Sequence, residues 1–200
     1  MNDINLYINW ALHAIFGRMA EADAITRMDP GALERVAAFL RRRYPVNVQP
    51  LYRGLLLSSP SELNAGPDPR TGRVMPWVSW SEDRDVARWF GSPESYISEP
   101  FRAWAPNARG YVLTLPEVAP EHVLWHYDWR HAFGQPLERL ALLHPAMGAE
   151  GCRQIAWSLD MQREVITTPL DPLPTPEPVD TIPGATIVEL DARLTPSWAA

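Results

Sequence analysis

The chain of 200 residues has little cysteine, no long apolar run and no excess of positive charge, and each shortage excludes a class of protein. Its one cysteine, Cys152, cannot form an intramolecular disulfide or, alone, a thiolate zinc site, so nothing indicates an oxidising compartment. No segment reaches the roughly 18 apolar residues of a membrane span. A formal net charge of −6 argues against binding nucleic acid mainly by neutralising phosphates.

Common catalytic and targeting signatures are also absent from the sequence. There is no Gly-rich loop to hold phosphates and no Gly-x-Ser-x-Gly nucleophile elbow. His122, His126, His131 and Asp128 resemble a metal set, but the apolar "VLW" between the first two indicates a strand, on which residues four apart are too distant to chelate together. We therefore expect no metal. Because no basic region precedes the first apolar residues, we expect no signal peptide and a cytoplasmic location.

The composition is that of a folded protein. A hydrophobic content of 46% and an aromatic content of 10% suffice for one sizeable core, and the length favours a single domain over 1–200. Apolar residues spaced by three and four predict a helix over residues 4–20. A second helix is predicted to begin with Asp29 as its N-cap and to end before Pro45, so that residues 1–45 are helical.

Residues 46–168 have the composition of a β-rich body. Short β-branched or aromatic segments predict strands at 51–57, 77–80, 110–115, 122–125 and 163–168. A long polar loop is predicted at 58–76, and "SEDRDVARWFG" predicts a helix with Ser81 as N-cap and Gly91 as its end. Six prolines predict an extended strap over 169–184, and residues 185–200 are predicted to supply a last strand and a tail. The fold class is α+β.

Three motifs in this body carry groups suited to chemistry. Arg53 lies in "LYRGL", Ser79 and Ser81 lie in "VSWSEDRDVARWF", and Gln162 and Glu164 lie in "MQREVI". If "MQREVI" is a strand, its amide and carboxylate are side by side on one face. This ordered set resembles the mono-ADP-ribosyltransferases of the cholera-toxin-like, arginine–serine–glutamate type. The resemblance extends from residue 51 to residue 166.

The resemblance implies an ADP-ribosyltransferase fold, with a split, two-sheet β core that binds NAD as co-substrate. Glu164 would stabilise the oxocarbenium-like transition state, as a carboxylate does in glycoside hydrolysis. Ser79 would orient Glu164 by a hydrogen bond, Arg53 would bind the phosphates, and Gly54 would let the backbone approach the ligand. The alternatives are an exposed glutamate on an edge strand and a surface salt bridge of the arginine.

Other residues receive roles from the same resemblance. Trp80, Ser81 and Phe90 would contact the cofactor, although core packing and helix capping explain them equally well. The turn "CRQIAWSLD" would recognise the acceptor through Trp157, whose alternative is a buried aromatic under a loop. Gln162 replaces the glutamate found in transferases that modify arginine, and an amide cannot deprotonate a guanidinium. We therefore expect a non-arginine acceptor, either a protein side chain or a nucleobase.

The resemblance leaves the reaction and the biological role open. The same site could hydrolyse NAD with water as the acceptor, or the fold could be a binding module without activity. Compact members of the family are often bacterial or phage toxins or effectors, which implies a macromolecular target, protein or nucleic acid, and a neutralising antitoxin or immunity protein.

Overall fold

A computed structural model of the chain describes residues 2–47, 50–59, 77–95, 107–170 and 173–196. Its helices are α1 (Asp3–Ile15), α2 (Met19–Met28), α3 (Ala32–Arg43), α4 (Arg84–Gly91), α5 (Leu137–Leu143), α6 (Gly148–Trp157) and α7 (Ile187–Leu194). Its strands are β1 (Leu51–Leu57), β2 (Val78–Ser81), β3 (Arg109–Leu115), β4 (Val123–His126), β5 (Glu164–Thr167) and β6 (Glu177–Pro178). The predicted α+β class is confirmed. No helix in these ranges is long and apolar enough to cross a membrane.

The chain forms two compact units from interleaved segments. Unit one contains residues 1–48, 76–78 and 119–169, and unit two contains residues 49–75, 79–118 and 170–200. The prediction of a single domain over 1–200 stays a prediction. Most of the loop predicted at 58–76, namely residues 60–76, lies outside the described residues.

Residues 2–45, at the start of unit one, contain three helices where the sequence predicted two. Helix α1 begins after Asn2, whose side chain accepts a hydrogen bond from the Asn5 backbone N–H at 2.9 Å. It ends before Gly17, which adopts the left-handed region with φ +78°. Since a residue in that region ends a helix, the predicted helix over 4–20 is wrong in its last turn, and α2 follows as a separate helix.

Helix α3 begins slightly later than predicted and ends where expected. Its N-cap is Gly31 rather than Asp29, although the Asp29 carboxylate accepts a hydrogen bond from the Gly31 backbone N–H at 3.0 Å. Its last residue is Arg43, and Tyr44, one residue before Pro45, is its C-cap. Near this end the Arg41 guanidinium donates to the backbone carbonyl of Val123 at 2.7 Å, which connects α3 to β4.

Aromatic side chains form the core of unit one. The Tyr7 ring lies 5.5 Å from Trp10 and 6.3 Å from Trp125, and Trp125 packs edge-on against Trp129 at 6.5 Å between ring centroids. All four side chains are buried. The Tyr7 hydroxyl donates to the backbone carbonyl of Leu124, so the phenol fastens α1 to β4. Strands β4 and β5 pair antiparallel, with His126 opposite Val165.

Unit two is built on antiparallel strands in the order β2-β1-β3-β6. Strand β1 pairs with β3 along its whole length, from Leu51 opposite Leu115 to Leu57 opposite Arg109. The predicted strap supplies β6, a two-residue strand at the edge of this set, where proline is tolerated because no further strand requires its N–H.

Glycines let helix α4 lie directly on strands β1 and β3. A Cβ atom built on Gly54 would be 1.9 Å from the backbone oxygen of Ala87 and 2.4 Å from the backbone nitrogen of Gly91. A Cβ on Gly110 would lie 2.2 Å from the Gly91 oxygen. Real Cβ atoms do not come this close to other atoms, so the helix backbone occupies the space that a side chain would need.

The last element is helical, and the prediction of a C-terminal strand in 185–200 is wrong. The Thr186 side chain accepts from the Glu189 N–H, and the Glu189 carboxylate accepts from the Thr186 N–H, forming a capping box that starts α7. Leu190 and Leu194, four residues apart, are buried. The β-branched residues in "ATIVELDARL" suggested a strand, although the spacing of its leucines also fits a helix.

Candidate functional site

Two of the predicted site residues, Arg53 and Ser79, meet in unit two. The Arg53 guanidinium on β1 donates from Nη1 to the backbone carbonyl of Ser79 on β2 at 2.8 Å. Both residues are half-buried. The bond holds a permanently charged planar group of β1 against the backbone of β2. The predicted contacts of Arg53 with phosphate and of the Ser79 hydroxyl with Glu164 stay predictions.

Ser81 supports the chain turn before α4 but is not the N-cap of that helix. It is the last residue of β2, it is buried, and its hydroxyl accepts from the Asp83 backbone N–H at 2.9 Å. Asp83 is the N-cap, and its carboxylate accepts from the N–H groups of Asp85 and Val86. The prediction of Ser81 as N-cap is therefore wrong by two residues, because the strand continues through Ser81.

The other predicted cofactor residues also have structural explanations within unit two. The absence of a side chain at Gly54 permits a close approach of helix α4. Trp80 is buried, and Phe90 is half-buried with its ring 5.2 Å from that of Trp89 in a T-shaped arrangement. The predicted approach of a ligand to the Gly54 backbone stays a prediction.

Glu164 is the first residue of β5 in unit one, and only 4% of its surface is exposed. The next three residues of the strand are also buried. Glutamate is rarely so buried unless it is paired. The alternative explanation, an exposed glutamate on an edge strand, is therefore wrong for this residue.

Gln162 does not lie on the strand with Glu164. It ends a π-helical turn, Ser158–Gln162, and Arg163 follows with φ +45° and ψ +58°, the left-handed region. Strand β5 begins only after this residue. The expectation that Gln162 and Glu164 share one face of a strand is therefore wrong, because the side-chain alternation of a strand does not extend through a left-handed residue.

The segment predicted as an acceptor-recognition turn is helical. Residues Gly148–Trp157 form α6, which continues directly into the π-helical turn. Trp157 ends α6 and is 8% exposed, so its ring belongs to the core. The burial expected of a core aromatic is found at Trp157, and its predicted contact with an acceptor stays a prediction.

A depression of about 340 Å³ lies beside the π-helical turn within unit one. It is lined by Tyr127, Asp128, Arg130, His131, Leu159, Asp160 and Arg163. Arg130 donates to the carboxylates of Asp160 and Glu138. Sequence reasoning did not select Arg130, since its neighbours drew attention only as possible metal ligands. Nothing in its local pattern indicates the distant aspartate.

The histidines of the same region make hydrogen bonds within unit one. The His122 ring nitrogen Nδ1 lies 2.8 Å from the Thr168 hydroxyl, and His126 Nδ1 accepts from the Asp128 backbone N–H at 3.2 Å. Across the described ranges, no three His, Cys, Asp or Glu side chains are grouped so that they could hold a metal ion.

Comparison of this chain with protein-family models, with curated proteins and with solved structures gives no match. Its motifs and the geometry around them are therefore the basis for the function proposed next.

Proposed function

We propose that the protein is a mono-ADP-ribosyltransferase that transfers ADP-ribose from NAD to a macromolecular acceptor. In this reaction the bond between the nicotinamide nitrogen and the ribose C1′ breaks, and its electron pair leaves with neutral nicotinamide. An acceptor nucleophile forms the new bond to C1′ and loses its proton. The proposal includes an ADP-ribosyltransferase-like fold and a role as toxin or effector. The observation that carries it is the burial of Glu164.

Burial matters because a carboxylate stabilises a developing cation best where water is excluded. In the proposed reaction, positive charge develops on the ribose as nicotinamide leaves, and a buried carboxylate beside the ribose would stabilise that charge. Glu164 is 4% exposed and follows directly on an irregular segment. A purely structural position at the start of a short strand favours an apolar or β-branched residue, as the following Val165 and Ile166 illustrate.

The backbone before Glu164 provides a second line of support. π-helical turns are rare in proteins overall, and those that do occur often lie at functional sites. A non-glycine residue in the left-handed region costs about 1–3 kcal/mol of conformational free energy. Both features occur in succession here, in Ser158–Gln162 and in Arg163. Such a segment orients Gln162 differently from a strand residue, while keeping it two positions from the carboxylate.

The proposed roles of the remaining residues follow from their chemistry. A guanidinium matches phosphate oxygens, and Arg53 is held in a defined direction by its bond to the Ser79 carbonyl. Gln162 would orient the nucleophile through an amide, which can donate and accept hydrogen bonds but cannot remove a proton from arginine. The proposed acceptor is therefore not arginine.

The proposal is tested by measuring nicotinamide release from NAD by the full chain and by Glu164→Gln. We expect the variant to lose roughly 10²-fold to 10³-fold in turnover, the size of effect seen when one preorganised electrostatic group is removed. Its urea midpoint should stay near that of the wild type, because glutamine has nearly the same volume as glutamate. Glu150→Gln, an exposed carboxylate on α6, is the matched control and should keep full activity. Wild-type turnover in Glu164→Gln would remove the proposed role.

A second measurement separates transfer from hydrolysis. NAD labelled in its adenylate phosphate is incubated with the protein and, in separate reactions, with lysate protein, bulk RNA and denatured DNA. Label attached to one pool identifies the class of acceptor. Nicotinamide release without attached label identifies the protein as an NAD glycohydrolase, and release in none of the reactions rejects both activities.

A further inference from the structure

Arg130 ties together the two segments that extend β4 and β5 beyond their paired ends. It lies in the 3-10 turn Tyr127–His131, which follows β4 directly, and its partner Asp160 lies in the π-helical turn just before β5. His126 and Val165 are the last register pair of these strands at this end. The Arg130–Asp160 contact therefore links the two chain segments next to the antiparallel pair β4–β5, at the end where Glu164 begins β5.

We propose that Arg130 is a positioning residue that holds the π-helical turn, and with it Gln162, in the orientation that transfer to the acceptor requires. This inference rests on the proposed transferase function and adds a residue to it. Arg130 itself is not placed in contact with NAD or with the acceptor.

The tie consists of two ion pairs of Arg130, here called its arms, which differ in burial. One arm, from Nη1, goes to the Asp160 carboxylate on the turn, and the other, from Nη2, goes to the Glu138 carboxylate on α5 at 2.7 Å. The side chains of Arg130 and Glu138 are only 21% and 20% exposed, whereas Asp160 is 58% exposed. Helix α5 thus anchors the guanidinium through a sheltered ion pair, and the guanidinium in turn restrains the more exposed turn.

The Arg130 guanidinium stays charged at any ordinary pH. Burial by itself lowers the pKa of Arg130, but the hydrogen bonds to Glu138 and Asp160 outweigh burial and raise the pKa above its ordinary value. A guanidinium with two carboxylate partners also has a defined plane, because its N–H groups are fixed in a fork. Lysine could not bridge both partners with the same geometry.

The π-helical turn is a segment that benefits from such a restraint. It has no side-chain cap at its start, and it ends at the left-handed Arg163. Asp160 lies at its centre, two residues before Gln162. Arg130, Asp160 and Arg163 all line the same depression, so the tie also shapes the surface next to Gln162.

The consequence is a difference between transfer and hydrolysis. Hydrolysis requires only water, which is small and abundant, whereas transfer requires an acceptor nucleophile held in one direction. A displacement of about 1 Å in a positioning group can cost roughly 10²-fold in rate. Loosening the turn should therefore reduce transfer much more than nicotinamide release.

The experiment compares Arg130→Gln and Asp160→Asn with the wild type in the full chain. Arg139→Gln is the matched control, since it removes one positive charge from an exposed position on α5. Label attached to the acceptor pool and total nicotinamide release are measured in the same reaction, and hydrogen exchange reports on the backbone of Ser158–Gln162. Asp160→Asn removes the negative charge of only the exposed partner, so it serves if Arg130→Gln does not fold.

We expect Arg130→Gln and Asp160→Asn to reduce the ratio of attached label to released nicotinamide by about 10-fold or more. A misplacement of about 1 Å can cost roughly 10²-fold in rate. Exchange should accelerate in Ser158–Gln162, and Arg139→Gln should change neither quantity. An unchanged ratio, or unchanged exchange in the turn, overturns the inference even if the wild type is a transferase. A wild type that releases nicotinamide but attaches no label to any pool overturns the transfer part of the proposed function and, with it, this inference.

Discussion

Replacing Gly54 by alanine tests the contact between α4 and the strands of unit two. Glycine within a strand is usually destabilising, so an ordinary Gly→Ala change there is expected to stabilise the protein by about 0.5–1 kcal/mol. At Gly54 we expect the opposite sign. The added methyl group would lie 1.9 Å from the Ala87 carbonyl oxygen and 2.4 Å from the Gly91 nitrogen.

The size of the effect follows from what must move. Ordinary contact begins at 3.4 Å, so the methyl group is about 1.5 Å too close to the carbonyl oxygen. Overpacking costs about 1–3 kcal/mol where side chains can adjust. The atoms opposite Gly54 are backbone atoms of α4, so the helix itself must shift, together with the buried Val86 and Trp89 that it carries. We expect a loss of about 3 kcal/mol or more.

The assay is urea unfolding of the full chain, followed by tryptophan fluorescence and by circular dichroism. Gly17→Ala is the control for backbone strain without a clash, because Gly17 has φ +78° and no atom lies within 4 Å of the position that its added Cβ would take. That variant should lose about 1–2 kcal/mol. If Gly54→Ala were as stable as the wild type, or more so, the direct contact of α4 with β1 would be refuted.

Two further predictions concern unit one. Tyr7→Phe removes the hydroxyl that donates to the backbone of β4, and should lower the free energy of unfolding by about 1–3 kcal/mol because a buried carbonyl loses its donor; urea unfolding measures this. Burial and the neighbouring His144 hold the pKa of His13 below its ordinary value. As the pH falls below about 6.5, the unfolded chain therefore takes up a proton that the folded protein refuses, and stability should decrease until the folded pKa is reached. His13→Asn should show a smaller loss between pH 7.5 and 5.5.

Sequence patterns predicted β1 to β5 well because each of these strands carries its own local signal, whereas β6 lies in the segment predicted as a strap. The prediction for β1 has the same bounds as the observed strand, and β2 through β5 lie within one or two residues of their predicted positions. β-branched and aromatic residues bounded by breakers specify an extended segment without reference to distant parts of the chain. The stop of α3 before Pro45 is equally local, since proline restricts the residue that precedes it.

The elements whose prediction was wrong depend on contacts that form only on folding. "ATIVELDARL" has β-branched residues and a helical spacing of leucines, and only burial of Leu190 and Leu194 decides for the helix. Gln162 and Glu164 resemble neighbours on one strand, yet the left-handed Arg163 separates them into a turn and a strand. A non-glycine residue in that conformation is maintained by its surroundings, and its sequence gives no sign of it.

The sequence by itself determined the α+β class, the extended segments and the residue types of the candidate site, because these depend on local composition and spacing. The tertiary structure decided which of those residues are buried, as with Glu164 and Trp157, and which distant groups support them, as with Arg130 and Asp160. It also decided that Gly54 serves the packing of a helix. The physical reason is that burial and ion pairing are properties of segments brought together by folding, and a single segment does not carry them.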